Sequence, residues 1–89
     1  MTLANEAAYL YIYAKKLAKI NGRLQSATAK VQKQASLYQT TNSPKPKEKH
    51  RRKYEEVKRR MQQLQRERAG LITRLRHHQT AFAHGLQKE

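Results

Sequence analysis

Hydrophobic side chains recur every seven residues through the first half of the chain. Six positions follow this spacing without a break: Leu3, Leu10, Leu17, Leu24, Val31 and Tyr38. A second series with the same period lies between them and holds small or polar residues: Ala7, Ala14, Asn21, Thr28 and Ala35. Heptads sustained over about five repeats are typical of a long amphipathic helix that packs against another helix. The pattern therefore predicts a first helix over about residues 3–40.

The second half of the chain carries a similar pattern, with spacings that alternate between three and four. Its members are Tyr54, Val57, Met61, Leu64, Arg68, Leu71, Leu75, His78 and Phe82. This alternation indicates a second amphipathic helix, which we place at about residues 48–86. The fold class is therefore predicted to be all-α, with residues 1–89 forming one domain: an antiparallel two-helix hairpin that resembles a coiled coil.

A turn between the two helices is predicted at about residues 41–47, where both prolines of the chain lie. Ser43 could instead cap the second helix, with Pro44 at the first helical position and Pro46 in the tolerant first turn. The pair Asn21-Gly22 is another turn signal, and a break there would give three helices as an alternative.

The register of the hairpin follows from pairing residues whose numbers sum to 88 or 89. This rule places small residues of the first helix opposite large residues of the second, as in Ala7 with Phe82. It also places Asn21 opposite Arg68, so that two polar residues of the heptad series meet. We expect this pair to fix the register at a cost in stability. In the alternative, Arg68 extends past Asn21 into water.

Charge is distributed unevenly in this chain, which has 20 Lys and Arg, six Glu and no Asp, and a net charge of +14. On the first helix the basic residues fall within an arc of about 100°, opposite the leucines. They are Lys15, Lys16, Lys19, Arg23, Lys30 and Lys33. The second helix is basic on every side except the predicted seam, and its candidate binding residues are Arg51, Arg52, Arg59 and Arg66.

The apolar arc of the first helix is predicted to be roughly 160° wide, more than one neighbouring helix covers. Its surplus part contains Tyr9, Tyr13 and Ile20, which we assign to an oligomer interface. A homodimer of two hairpins, packed as a four-helix bundle, is the expected assembly. The alternative is that the surplus strip docks on an unrelated protein.

Several function classes are disfavoured by composition. Only 15 of the 89 residues are Leu, Ile, Val or Phe, which is too few for a thick core around a deep pocket. The chain has no Cys, no paired carboxylates on one face and no glycine-rich phosphate loop. We therefore expect no enzymatic activity, no cofactor and no metal. We expect His77, His78 and His84 to interact with the C-terminal end of the helix dipole, with His78 on the seam as a neutral core residue.

The excess positive charge predicts nucleic acid as the partner, bound through phosphates with little sequence preference. Packaging or bridging of DNA or RNA, or a place in a ribonucleoprotein or virion, would fit such binding. Tyr11 is a candidate for stacking on unpaired bases. The alternative is a coiled-coil adaptor whose basic face binds an acidic protein. An anionic membrane surface fits less well because the chain has one Phe and no Trp. No run approaches the roughly 20 apolar residues of a membrane span, so we expect a soluble, intracellular protein.

Overall fold

The computed structural model describes residues 2–87, and within this range the chain is all-helical. Helix α1 spans Leu3–Thr40 and helix α2 spans Pro44–Gln87. The two long helices pack against each other as a hairpin, joined by Thr41, Asn42 and Ser43. The predicted fold class is confirmed at this level.

Helix α2 begins at Pro44, earlier than the start near residue 48 that we predicted. The reason is that a first-turn proline lacks only an N–H group that has no partner in the helix anyway. The Lys47 N–H donates to the Ser43 carbonyl at 3.0 Å, which closes the first turn around Pro44 and Pro46. The connection is therefore shorter than the predicted turn at 41–47.

Threonine side chains satisfy backbone groups at both ends of α1. At the N-terminus, Thr2 Oγ1 accepts a hydrogen bond from the Asn5 N–H at 3.2 Å. At the C-terminus, Thr41 donates to the Leu37 carbonyl from its hydroxyl at 2.6 Å and from its N–H at 3.1 Å. The Thr40 hydroxyl donates to the Ser36 carbonyl at 2.9 Å. The Asn5 N–H and the Leu37 carbonyl are among the groups that a helix end otherwise leaves unpaired.

Helix α1 continues without interruption through Asn21 and Gly22, so the three-helix alternative is wrong. A Cβ atom added at Gly22 or Gly70 would meet no neighbouring atom within 4 Å. Neither glycine therefore serves a close approach between backbones. The chain nevertheless divides at this level into two compact units. The first joins the residues up to Asn21 with those from Arg66 onward, and the second comprises Gly22–Gln65.

The buried residues show which positions form the seam between the helices. Five side chains are fully buried: Glu6, Ile20, Ala27, Leu64 and His78. On α2 every member of the predicted series is half-buried or buried except Arg68, which is exposed; Ile72 and Ala81, outside that series, are also half-buried. On α1 the second seam series consists of Glu6, Tyr13, Ile20, Ala27 and Gln34. The predicted second series was wrong, because Ala7, Ala14, Asn21 and Thr28 are exposed and Ala35 is half-buried.

Burial also differs between the two kinds of heptad position. With Leu3 and Tyr54 as a positions, Glu6 and Val57 are the first d positions of their series. All five fully buried residues are then d positions, whereas every a position in residues 2–87 is half-buried or exposed. Tyr13 and Ile20 remove more apolar area from water than Ala14 and Asn21 of the predicted series would. This difference is the physical reason that the d face of α1 enters the seam.

Candidate nucleic-acid interface

The ten basic residues predicted to bind nucleic acid are almost all accessible to solvent. Nine of them are exposed and Arg51 is half-buried. The first unit contains Lys15, Lys16, Lys19 and Arg66, and the second contains Arg23, Lys30, Lys33, Arg51, Arg52 and Arg59. Their long side chains extend from two rigid helices, so the backbone fixes their spacing while the charged groups remain adaptable.

The second unit is the more basic of the two. Between Gly22 and Gln65 the chain has twelve Lys and Arg and three Glu, a net charge of +9. The described part of the first unit has seven Lys and Arg and two Glu, a net charge of +5. Charge of a single sign at this density attracts polyanions and raises their association rate.

A row of cations lies on the outer face of α2 in the second unit. Lys45, Arg52 and Arg59 are seven residues apart and occupy f positions, opposite the seam. Two helical turns separate consecutive members, a rise of about 10.5 Å. Lys45 belongs to this row by spacing and exposure, although the charge pattern alone did not single it out.

A second group of cations flanks the d positions of the same unit. Arg23 and Lys30 on α1, and Lys53 and Arg60 on α2, all occupy g positions and are exposed. The opposite, a-position side is a groove lined by Ala35, Tyr38, Gln39, Arg51, Tyr54 and Glu55. Basic residues thus concentrate on the outer face of α2 and on one flank of the hairpin.

Arg51 differs from the other cations because its charge is already paired. Its Nε donates to Glu48 Oε2 at 2.9 Å and its Nη1 donates to Glu55 Oε1 at 2.8 Å. The hydrogen bond from Arg51 lowers the pKa of Glu48 to about 2, and the same bond raises the pKa of Arg51 above its usual value. Arg51 therefore has less free charge to offer a phosphate than the other nine residues, and its assignment to the interface stays a prediction. Arg52 Nε lies 3.4 Å from Glu48 Oε1, a longer contact than those of Arg51. Because 77% of the Arg52 side chain is exposed, its charge stays accessible.

Tyr13 and Ile20 do not lie beyond the seam, contrary to the prediction that assigned them to an oligomer interface. Ile20 is only 6% exposed within a single chain, and Tyr13 is half-buried. Tyr9 retains 40% exposure. Tyr13 and Ile20 pack within the hairpin because they take d positions, so Ile20 offers little surface to a second chain.

The first unit contains a buried polar cluster that the sequence analysis missed. His78 Nδ1 lies 2.7 Å from Glu6 Oε2, and both side chains are buried. The rings of Tyr9 and Tyr13 stack on the imidazole with centroid distances of 4.7 and 5.3 Å. His78 is on the seam, as predicted, but a carboxylate partner replaces the expected helix-terminus interaction. The available signal was that Glu6 is the single acidic residue of α1.

Asn21 and Arg68 are brought together at the predicted register. Arg68 Nε donates to Asn21 Oδ1 at 2.8 Å, and both residues are exposed. In the second unit the Thr28 hydroxyl contacts Met61 Sδ at 3.6 Å, another pair whose numbers sum to 89. The Asn21–Arg68 pair lies at the rim of the seam, so the arginine both reaches water and makes the bond.

Other kinds of site find no support in the part of the chain that the structure describes. Residues 2–87 hold no group of three or more His or Glu side chains arranged to bind a metal ion. Across the same residues, neither helix has a stretch both long and hydrophobic enough to traverse a bilayer. Comparison with protein-family models, with curated proteins and with solved structures finds no match.

Proposed function

We propose that this protein binds DNA or RNA through phosphate contacts, with little preference for sequence. The observation that carries the proposal is the exposed, largely unpaired set of cations on residues 22–65, where the net charge is +9. Within residues 2–87 the Lys and Arg side chains in ion pairs are Arg51 and Arg52. Among the described residues, the remaining cations have no carboxylate to release before they contact a phosphate.

The binding mechanism is release of condensed counterions. Each phosphate neutralised by a Lys or Arg frees a counterion into solution, so the affinity falls as salt concentration rises. Base recognition needs side chains held in fixed, bidentate geometry, whereas Lys45, Lys53 and Arg59 are long, exposed side chains. Such side chains follow the backbone of any sequence.

Self-association belongs to the same proposal. Two hairpins packed as a four-helix bundle would present two sets of cations and could bridge separate segments of nucleic acid. The protein would then act without enzymatic activity or cofactor, as a packaging or bridging component of a nucleoprotein assembly. In the alternative, the basic surface docks an acidic protein.

The test titrates the protein into labelled DNA and RNA duplexes of unrelated sequence. Fluorescence anisotropy monitors binding, and the titration is repeated at several salt concentrations. We expect similar affinities for all sequences and a steep decline with salt; about six neutralised phosphates give a log–log slope near −5 for duplex DNA. Polyglutamate of similar length serves as the competing ligand. Marked preference for one sequence with a shallow slope would reject the proposal, and binding of polyglutamate alone would favour the acidic-protein alternative.

A further inference from the structure

The hairpin covers the core of its first unit on one side and leaves the other side open. On the d-position side, Glu6, Ile20 and His78 are buried. On the a-position side, Leu10 and Phe82 are only half-buried. Two layers of large apolar side chains that meet in a complete core would both be removed from water. The a-position side of this unit is therefore unfinished within one chain.

The residues that flank these a positions extend the open side into an apolar face. Six residues define it: Ala7, Leu10, Ala14, Ile72, Phe82 and Leu86. Ala7 and Ala14 are exposed, and Leu86 is 52% exposed. Tyr11 lies beside the alanines and is 68% exposed. The face thus combines contributions from both helices.

Charge is nearly absent from this face, in contrast to the rest of the unit. In residues 2–21 no a, b or e position carries a charge, and Lys15, Lys16 and Lys19 occupy f, g and c positions. Between residues 66 and 87, the charged residues at a, b and e positions are Arg68 and Arg76. Two copies of a chain with a net charge of +14 repel each other least where such a face meets its equivalent.

The accessible area is consistent with a second copy as the occupant. The chain exposes 6956 Å², whereas a compact monomer of this mass exposes about 5,400 Å². The excess of about 1,500 Å² belongs to the whole chain, and it leaves room for an interface of standard size, to which each partner contributes roughly 800 Å². A two-fold axis would also let the large Phe82 and Leu86 of one copy pack into the space beside Ala7 and Ala14 of the other.

We propose that the apolar face of the first unit binds the same face of a second copy, forming a homodimer. This proposal deepens the self-association in the proposed function and rests on it. The interface lies on the a-position side, and the cations at the f, g and c positions of both copies remain open to phosphate. Tyr9 and Tyr13, on the d-position side, lie outside this interface.

The test uses two matched substitutions in the full chain, Ala14→Glu on the apolar face and Ala8→Glu on the outer face of the same helix. Both alanines are exposed in α1, and each substitution adds one negative charge. Sedimentation equilibrium without nucleic acid, at tens of micromolar protein, should show a dimer for the unmodified protein and for Ala8→Glu. Ala14→Glu should weaken dimerisation at least tenfold while its circular dichroism stays helical.

The outcomes separate this proposal from the broader one. If both variants dimerise as strongly as the unmodified protein, the proposed location of the interface is wrong, but self-association itself is retained. A monomer of the unmodified protein overturns self-association itself, and binding of phosphatidylserine vesicles that Ala14→Glu abolishes and Ala8→Glu retains would assign the face to a lipid surface. Nucleic-acid affinity, measured separately, decides the phosphate-binding proposal whichever result is obtained.

Discussion

Glu6 and His78, 72 residues apart in sequence, form a buried acid–base pair with 2.7 Å between Glu6 Oε2 and His78 Nδ1. Glu6 is 4% exposed and His78 is 9% exposed. A carboxylate removed from water needs a hydrogen-bonding partner, because an unpaired buried charge is strongly unfavourable. The pair therefore ties the start of α1 to the C-terminal part of α2.

Replacing one member of this pair should destabilise the protein more than replacing both. His78→Leu leaves the Glu6 carboxylate buried without a partner, and we expect a loss of about 3 kcal/mol in the free energy of unfolding. The double variant Glu6→Leu with His78→Leu should recover most of that loss, because no unpaired polar group remains. Urea denaturation of the two variants measures the difference. Equal destabilisation by both would contradict a stabilising role for the hydrogen bond between Glu6 and His78.

Alanine substitution should stabilise the protein at a glycine with open space around it, but not at a glycine in close contact with the other helix. Gly22→Ala meets no atom within 4 Å and replaces a poor helix former, so it should raise the free energy of unfolding by about 1 kcal/mol. Gly85→Ala is the control, because its Cβ would lie 2.8 Å from Leu3 Cδ2 and require that side chain to move. Thermal denaturation should therefore show a gain for the first variant and a smaller gain or a loss for the second.

Acid should weaken the start of α2 through protonation of Glu48. The hydrogen bond from Arg51 lowers the pKa of Glu48 from 4.5 to about 2. The unfolded carboxyl group binds its proton at the higher pH, so the stabilising contribution is present above about pH 4.5 and is lost as the pH falls towards 2. The effect is small because the pair is exposed to solvent.

Carbon-13 chemical shifts of the first two turns of α2, followed from pH 6 to pH 2, measure this loss of helicity. Glu48→Gln removes the titrating group and should abolish that part of the pH dependence. A titration curve unchanged by Glu48→Gln would assign the transition to another group.

Two arginines of α2 should contribute differently to nucleic-acid binding. Arg59→Gln removes an exposed cation without a carboxylate partner, so the slope of log affinity against log salt should become shallower by about one. Arg51→Gln removes the same charge from a side chain held by Glu48 and Glu55. It should leave the slope nearly unchanged, because a cation already paired with carboxylates displaces no counterion from a phosphate. Equal changes in slope would mean that Arg51 also contacts phosphate.

The heptad spacing alone determined that the chain forms two long helices and that they pair in the register of Asn21 with Arg68. Periodic apolar residues must be buried along one stripe, and the two prolines permit a change of direction only near the middle of the chain. The buried face of α2 was equally predictable, because its large apolar residues lie along one side of the helix.

Which face of α1 completes the seam was decided only by the tertiary structure. Beside the leucines, the series through Ala7 and the series through Glu6 have the same period, so spacing cannot distinguish them. The series through Glu6 also contains Tyr13 and Ile20, which bury more apolar area, but it requires a carboxylate to leave water. His78 supplies the partner that makes this burial favourable, and the two residues meet only when the chain has folded back on itself.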